Sequence, residues 1–316
     1  MNNMLGSFLV ALRVVLPMAI TMGVGSLVRK AGVVKREDMG PLNKLIFKIL
    51  MPCLLFKNIY QIDFTANSYP KEIACIVAGI FAVFAFAVVV PRRLLRDPKQ
   101  AASVGQAIFR CNYVLFGVAV TESIYGAGNA GLTALLGSIV VPATSALSVV
   151  LLEMARNRKA SVKQLVRSVL SNPLVISAIL ALSIKFLNIH LPDVLVSVVE
   201  SLAGTATAIS FISLGVSLNI SELRQNRYPM LMGVSLRMLL LPLLFLPIVI
   251  ALGFRRESLC ALMIFFSSPT AISSYPMAAA MDADGPLAGQ LVCITTLVSV
   301  VTMFVIVFLL KNLGLL

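Results

Sequence analysis

Long apolar segments separated by short loops make up almost the whole of this chain. Each segment is close to the roughly 20 residues that a helix needs to cross the hydrocarbon core of a bilayer. Hydrophobic residues account for 59% of the 316 residues, against roughly 45–50% in soluble domains. One globular core cannot bury that much apolar surface. Because backbone polar groups in lipid must be satisfied internally, the sequence predicts an all-α polytopic membrane protein.

Ten transmembrane helices are predicted, with no soluble domain between them. Their approximate bounds are residues 7–28, 39–60, 71–91, 100–125, 132–154, 166–187, 193–218, 229–252, 257–280 and 285–310. The first segment has neither a basic start nor a small-residue cleavage site. We therefore expect it to be retained rather than removed as a signal peptide.

The basic residues indicate the orientation of the spans. The chain has 26 Lys and Arg against 13 Asp and Glu, and more than half of the basic residues follow spans one, three and five, as Arg29-Lys30 and Arg92-Arg93 do. Loops rich in Lys and Arg stay in the cytoplasm. Both termini are therefore predicted to lie outside the cytoplasm, in a multi-pass protein of the plasma or inner membrane. The net charge of +13 then needs no nucleic-acid partner.

The spans divide into two halves. Five spans per half would give the halves opposite orientations, which is the inverted-repeat plan of many secondary transporters. Weak internal similarity supports this division, since a Ser-Val-Val triplet begins at Ser148 in the last span of one half and at Ser299 in that of the other. We expect a first repeat over residues 1–158 and an inverted second repeat over residues 159–316.

Motifs of enzymes, metal sites and nucleotide sites are missing from the sequence. The only histidine, His190, lies in a short predicted loop. Gly23-Val24-Gly25 lacks the third glycine of a dinucleotide-binding loop. The turn at residues 282–285 resembles the start of a calcium loop, but Cys293 stands where that loop requires Glu. We expect no enzymatic activity, no metal and no cofactor.

Span four carries a charge and an amide near its middle. Counted from Gln100, Arg110 lies about 15 Å into the helix at 1.5 Å per residue, and Asn112 and Tyr113 follow it. A charged side chain at that depth is energetically expensive and usually faces a functional cavity. The alternative is a structural role, in which Arg110 pairs with a carboxylate or extends towards the membrane surface.

Span nine is interrupted by Pro269 and Pro276, which remove two backbone donors from its middle. A half-helix that begins inside the membrane presents unpaired N–H groups and the positive end of its dipole, and both favour an anion. Tyr275 lies deep in this span, as Tyr113 does in span four. Hydroxyl groups around the prolines can bond the freed backbone groups: Ser267, Ser268, Thr270, Ser273 and Ser274.

Of the other charged residues inside predicted spans, three are candidates for a role there. Glu200 in span seven is a candidate proton carrier, although a structural ion pair explains it equally well. Lys48 and Arg237 lie about eight residues into spans two and eight, a depth of roughly 12 Å. Either residue could line a cavity or hold helices together.

Several segments together resemble the auxin efflux carrier family, which includes plant auxin exporters and bacterial carriers of malonate, malate and related acids. The resemblance covers nearly the whole chain and rests on Met51–Phe56, Phe109–Tyr113 with Gly117, Ser171–Leu174, Ser213–Leu218, and Pro269–Ala279 continuing into Thr295-Thr296. It implies two inverted five-helix repeats, in which spans one, two, six and seven form a scaffold. Spans three to five and eight to ten would form a transport domain with an elevator-like movement, commonly within a homodimer.

The resemblance also implies roles for single residues. Spans four and nine would be broken and would cross at the substrate site, where Asn112 would bind the carboxylate and Pro276 would be the crossover proline. Members often have Gly-x-Pro in span four, whereas here Gly117-Val118 is followed by Ala119. We therefore expect the unwinding of span four to depend on Gly117 and on packing against span nine.

The leading prediction is a secondary carrier of a small organic anion, a mono- or dicarboxylate, that acts as an exporter or a uniporter. A symporter coupled to protons or sodium is the first alternative. A membrane receptor that binds the anion without moving it is the second. The predicted substrate-binding residues are Asn112, Arg110, Tyr113, Thr270, Ser273, Ser274 and Tyr275.

Overall fold

A computed structural model describes residues 2–61, 69–156, 161–219 and 224–316. In these ranges the protein is helical, and its β-structure is limited to an isolated bridge. We number the helices in chain order: α1 Asn2–Lys30, α2 Arg36–Tyr60, α3 Pro70–Leu94, α4 Pro98–Phe109, α5 Tyr113–Tyr125, α6 Gly131–Arg156, α7 Val162–Leu170, α8 Pro173–Phe186, α9 Asp193–Ser217, α10 Arg227–Ala251, α11 Arg256–Ser267, α12 Ser274–Ala280 and α13 Gly285–Asn312.

Over the described residues, six helices are long and apolar enough to cross a bilayer: α2, α3, α6, α9, α10 and α13. The pair α7 and α8 adds a seventh crossing if it is taken as one span, although its two parts are bent by 65°. This confirms the prediction of an all-α polytopic membrane protein.

The predicted spans four and nine are each divided into two helices, α4 with α5 and α11 with α12. These helices have 12, 13, 12 and 7 residues. At 1.5 Å per residue the longest reaches about 20 Å, less than the roughly 30 Å of a hydrocarbon core. None of the four can cross a bilayer by itself.

Side-chain caps fix the starts of several helices. The carboxylate of Asp97 accepts the Lys99 N–H at the start of α4, and that of Asp284 accepts the Leu287 N–H at the start of α13, both at 2.9 Å. Each cap satisfies a backbone donor that has no partner inside the helix. A proline follows each cap within two residues, where its missing N–H has no cost.

Two helices contain a single wider π turn. In α2 this turn covers Ile46–Leu50, and in α10 it covers Leu236–Leu240. Pro52 and Pro242 follow just after these turns, so the altered hydrogen-bond ladder precedes a residue that cannot donate to it. Both helices otherwise continue across the turn.

The helices pack in two groups. In the first group α1 contacts α9, and α2 contacts both α8 and α9; the second group consists of α3, α4, α5, α6, α10, α11, α12 and α13. In the first group α1 and α9 approach closely, because a Cβ placed on Gly25 would lie only 2.2 Å from the carbonyl oxygen of Ile212. Contacts between the groups include α1 with α5 and α13, and α2 with α12.

Candidate functional site

The breaks in spans four and nine, at residues 110–112 and 268–273, contact each other. The Asn112 N–H donates to the Pro269 carbonyl at 2.8 Å, and the Ala271 N–H donates to the Arg110 carbonyl at 3.2 Å. Cys111 and Thr270 form the antiparallel bridge between these bonds. A buried backbone group without a partner is costly, so each break supplies partners for the other. We call the two paired breaks the junction.

The junction lies at a different point of span four from the predicted one. Gly117 and Ala119 are inside α5, so the prediction that the chain unwinds at Gly117 is wrong. The missing side chain of Gly117 instead permits close packing, because a Cβ there would lie 3.0 Å from side-chain atoms of both Ile264 and Thr133. Helix α5 starts at Tyr113, just after the break. The backbone groups of residues 110 and 112 are already hydrogen-bonded to the break of span nine.

The proline at the junction is Pro269 rather than Pro276. Pro269 lies in the break and accepts the bond from Asn112. Pro276 is the third residue of α12. In the first turn of a helix N–H groups have no intrahelical partner, so a proline is tolerated there. The prediction that Pro276 forms the break of span nine is therefore wrong.

A cavity of about 130 Å³ opens beside the junction. It is similar in size to an engineered cavity of about 150 Å³ that holds benzene, which is room for a small organic ion. Four of the predicted binding residues line it: Arg110, Asn112, Tyr113 and Ser273. The rest of its wall comes from Met51, Leu54, Asn58, Cys111, Val114, Leu115, Val141, Thr144, Ala206, Thr207, Ala271 and Ile272.

Arg110 is a buried cation with neutral partners. Its side chain is 4% exposed. One terminal nitrogen lies 2.9 Å from Met277 Sδ, and the other donates to Ser273 Oγ at 2.7 Å and to Ser145 Oγ at 3.2 Å. Its Nε has no hydrogen-bond partner among the residues that the structure describes. Among the described residues no carboxylate lies within ion-pair distance of Arg110, so its charge is not neutralised by that part of the protein.

Asn112 and the first turn of α5 add to this electropositive wall. The Asn112 carbonyl accepts the Phe116 N–H at 3.2 Å, which makes Asn112 the N-cap residue. Its side chain forms no capping bond, and Nδ2 lies 4.0 Å from Met18 Sδ. The next three residues, 113–115, all line the cavity. The N–H groups of a first turn have no intrahelical partner, and the positive end of the helix dipole lies there.

Arg237 bonds backbone carbonyls at the junction and on the two helices that lead into it. Its fully buried guanidinium donates to the carbonyls of Ile108, Phe265 and Ser268 at 2.9–3.0 Å. Ile108 belongs to the last turn of α4 and Phe265 to the last turn of α11, where carbonyls have no helical partner. One cation on the π turn of α10 thus caps both helices, so Arg237 holds helices and does not line the cavity.

Four other predicted site residues lie away from the cavity. Thr270 is buried in the junction, where its hydroxyl donates to the Ala107 carbonyl at 3.0 Å. Ser274 is buried in the first turn of α12. The Tyr275 hydroxyl bonds Asn43 of α2. Glu200 accepts a bond of 2.6 Å from Gln61, beside a separate small gap.

The sequence reasoning missed several polar residues around the site. Asn58, Thr144 and Thr207 line the cavity, and Ser145 bonds Arg110. A usable signal was present in α6, because residues 144, 145 and 148 are hydroxyl residues on one side of an apolar helix. Asn58 and Thr207 gave no comparable signal, since Asn58 follows Lys57 near the end of its predicted span and Thr207 is one of several hydroxyl residues spread along α9.

Comparisons with known proteins agree with a role in membrane transport. The family described as Membrane transport protein matches residues 10–307. An uncharacterized transporter of Methanothermobacter thermautotrophicus is 23% identical over 299 residues, which cover 94% of this chain and 97% of that protein.

Proposed function

This chain belongs to the membrane transport protein family, that of the auxin efflux carriers, and from its site we propose that it carries a small organic anion, a mono- or dicarboxylate. The observation that carries the proposal is Arg110, a buried residue of the cavity wall whose guanidinium has only neutral partners among the described residues. An unpaired buried charge is unfavourable. A carboxylate in the cavity would neutralise it and accept charge-assisted hydrogen bonds.

The remaining walls suit the rest of such a molecule. Asn112 and the first turn of α5 would bind the second carboxylate oxygen, since both present N–H donors. The rest of the lining is largely apolar and includes Met51, Leu54, Val141 and Ile272. A small organic anion would place its carboxylate near Arg110 and Asn112 and its carbon skeleton against these apolar side chains.

We propose an elevator-type movement between the two groups of helices. The order of the helices fits ten spans in two inverted repeats, over residues 1–158 and 159–316. In that arrangement each repeat has one broken helix, and the break lies in its fourth span. Helices α1, α2, α8 and α9 would be the scaffold, through which a homodimer would form, and the second group would carry the junction across the membrane.

The position of the cavity along α2 supports a proposal for the side on which it opens. Met51, Leu54 and Asn58 line the cavity and lie towards the Tyr60 end, whereas Asn43 bonds Tyr275 nearer the other end. In the proposed orientation, with both termini outside the cytoplasm of a cell membrane, the Tyr60 end would be the outer one and the described state would be open outward. Glu200 lies away from this cavity, which favours a potential-driven uniporter over coupling through that residue.

Counterflow in proteoliposomes tests the proposal. A panel of labelled mono- and dicarboxylates would be offered at two pH values, with and without sodium. Arg110→Gln and Asn112→Ala should each lower the anion affinity, measured from thermal stabilisation over a range of anion concentrations, about tenfold or more, since hydrogen bonds to charged groups contribute about 1.5–3 kcal/mol. Arg93→Gln, which removes an exposed charge at the end of α3, is the matched control and should leave binding unchanged.

Three results would contradict parts of the proposal. Binding without counterflow would make the protein a receptor. Unchanged affinity in Arg110→Gln would remove that cation from the site. Counterflow that requires sodium or a proton gradient would replace the uniporter with a coupled carrier.

A further inference from the structure

Helix α7 is a short, separate helix whose ends are fixed by the sequence. At its start the Gln164 N–H donates to Ser161 Oγ at 3.3 Å, and the Ser161 N–H donates to Gln164 Oε1 at 2.9 Å, which is a capping box. After its end Asn172 caps α8 by accepting the Leu174 N–H at 3.0 Å. The two helices are bent by 65° relative to each other.

The residues of α7 separate into two faces. With 100° of rotation per residue, the apolar residues 162, 165, 166, 169 and 170 share one side, and residues 163, 164, 167 and 168 are polar. The protein covers only part of the apolar side. Val169 packs against the core, whereas Val162, Val166 and Leu170 are 78%, 51% and 53% exposed. Lys163 and Arg167 are exposed at the border between the faces.

The bend places α7 near one end of the helix bundle. The 14 residues of α8 extend about 21 Å, and the 9 residues of α7 add only about 6 Å along that direction because of the bend. At the bend, Asn172 Nδ2 lies 3.9 Å from Met281 Sδ. The next residue, Asp282, forms an exposed ion pair with Lys99 at 2.8 Å. This end of the bundle is therefore in contact with water.

We propose that α7 lies in the membrane–water interface and binds anionic phospholipid head groups. Lys163 and Arg167 bind the phosphates, and Val162, Val166 and Leu170 insert among the upper acyl chains. A short helix with one basic and one apolar face favours this position, and long basic side chains reach from an apolar surface to the head groups. Full immersion in hydrocarbon would bury two cations, and full exposure to water would leave three large apolar side chains uncovered.

The chain contains no tryptophan, so one indole can report the depth of α7. Full-length Val166→Trp would be placed in nanodiscs of phosphatidylcholine and phosphatidylglycerol, with bromine on either lipid and near either end of the acyl chain. We expect quenching to be strongest with bromine near the head group and stronger from the glycerol lipid. Because each basic residue near a charged surface favours anionic lipid roughly fivefold, Lys163→Gln with Arg167→Gln should abolish that lipid preference.

Gln164→Trp, on the polar face of the same helix, is the matched control and should be quenched less and emit at longer wavelength. Strongest quenching by bromine deep in the chain would overturn the proposal, because α7 would then lie within the hydrocarbon. Absence of quenching, or equal quenching by the two lipids, would overturn it as well. Should Val166→Trp fail to fold, Leu170→Trp on the same face provides the same measurement.

Discussion

Tyr275 accepts a hydrogen bond on its hydroxyl from Asn43 Nδ2 at 3.0 Å, which joins α12 to α2 away from the cavity. Ser217 of α9 also bonds this hydroxyl, and Ser213 donates to Asn43 Oδ1 at 2.9 Å. We call these four residues the Tyr275 cluster. The chain thus places Ser273 in the cavity wall and, two residues later, Tyr275 in a contact between the two groups of helices.

The change Tyr275→Phe removes the hydroxyl that the cluster shares. We expect a loss of about 1–2 kcal/mol of stability, because Asn43 loses an acceptor in a buried position. Anion affinity should stay within about twofold of the wild type, since Tyr275 does not line the cavity. Thermal denaturation with and without the carboxylate measures both quantities.

A matched variant, Tyr113→Phe, distinguishes the effect of losing a hydroxyl at the cavity from the effect of losing one in the Tyr275 cluster. This change also removes a buried hydrogen bond, from the Tyr113 hydroxyl to the Ala261 carbonyl at 2.8 Å. Unlike Tyr275, however, Tyr113 is one of the residues that line the cavity. We expect similar destabilisation together with altered anion affinity. If Tyr275→Phe weakened binding as much as Tyr113→Phe did, Tyr275 would belong to the binding site.

Arg237 should be indispensable for the junction. In Arg237→Met the carbonyls of Ile108, Phe265 and Ser268 lose their charged donor, and we expect a loss of about 3 kcal/mol or more. Arg237→Lys should recover only part of this, because an ammonium group cannot spread three donors as a guanidinium does.

Alkylation of Cys111 measures the opening of the junction directly. Cys111 is 5% exposed and lies in the bridge, so a maleimide should modify it slowly in the wild type and faster in both Arg237 variants. Peptide mapping distinguishes it from the other cysteines. Arg255→Lys, which alters an exposed guanidinium at the start of α11, is the control. Equal Cys111 reactivity in all variants would show that Arg237 does not hold the junction.

The depth of a residue in the membrane could be predicted from the sequence, but the residues that it contacts on other helices could not. Counting along the helix placed Arg110 near the middle of span four, and the prolines of span nine indicated an interruption. The position of the break depends on Pro269, whose carbonyl bonds Asn112 from another helix. Likewise, helical periodicity cannot reveal that Arg237 reaches two helices or that Tyr275 points towards α2. These contacts depend on tertiary packing between segments that are distant in sequence.

Close packing of α1 on α9 gives a prediction with an internal control. A Cβ on Gly25 would lie 2.2 Å from the Ile212 carbonyl oxygen, whereas one on Gly23 would have no atom within 4 Å. Gly25→Ala should therefore separate the helices and destabilise the protein, at a typical cost of about 1–3 kcal/mol. Gly23→Ala should be neutral or stabilising by up to about 1 kcal/mol, because Ala favours helix. Equal thermal midpoints for the two variants would contradict this packing.

The ion pair of Lys99 and Asp282 predicts a dependence of stability on pH. A hydrogen bond from Lys99, together with its charge, lowers the pKa of the Asp282 carboxyl below its ordinary value. A lowered pKa in the folded state means that the pair contributes stability above the unfolded pKa of about 3.9, and that this contribution disappears as the pH falls through the folded value. Both side chains are exposed, so the effect should be small and should decrease with salt.

Asp282→Asn tests this pair with little disturbance of the backbone. Asp282 has a φ of 61°, a left-handed conformation that Asn also tolerates. At neutral pH and low salt the variant should melt slightly below the wild type, and the difference should vanish in acid or at high salt. A difference that persisted below the folded pKa would have to come from the turn itself, since the charge of the carboxylate would then be absent from both proteins.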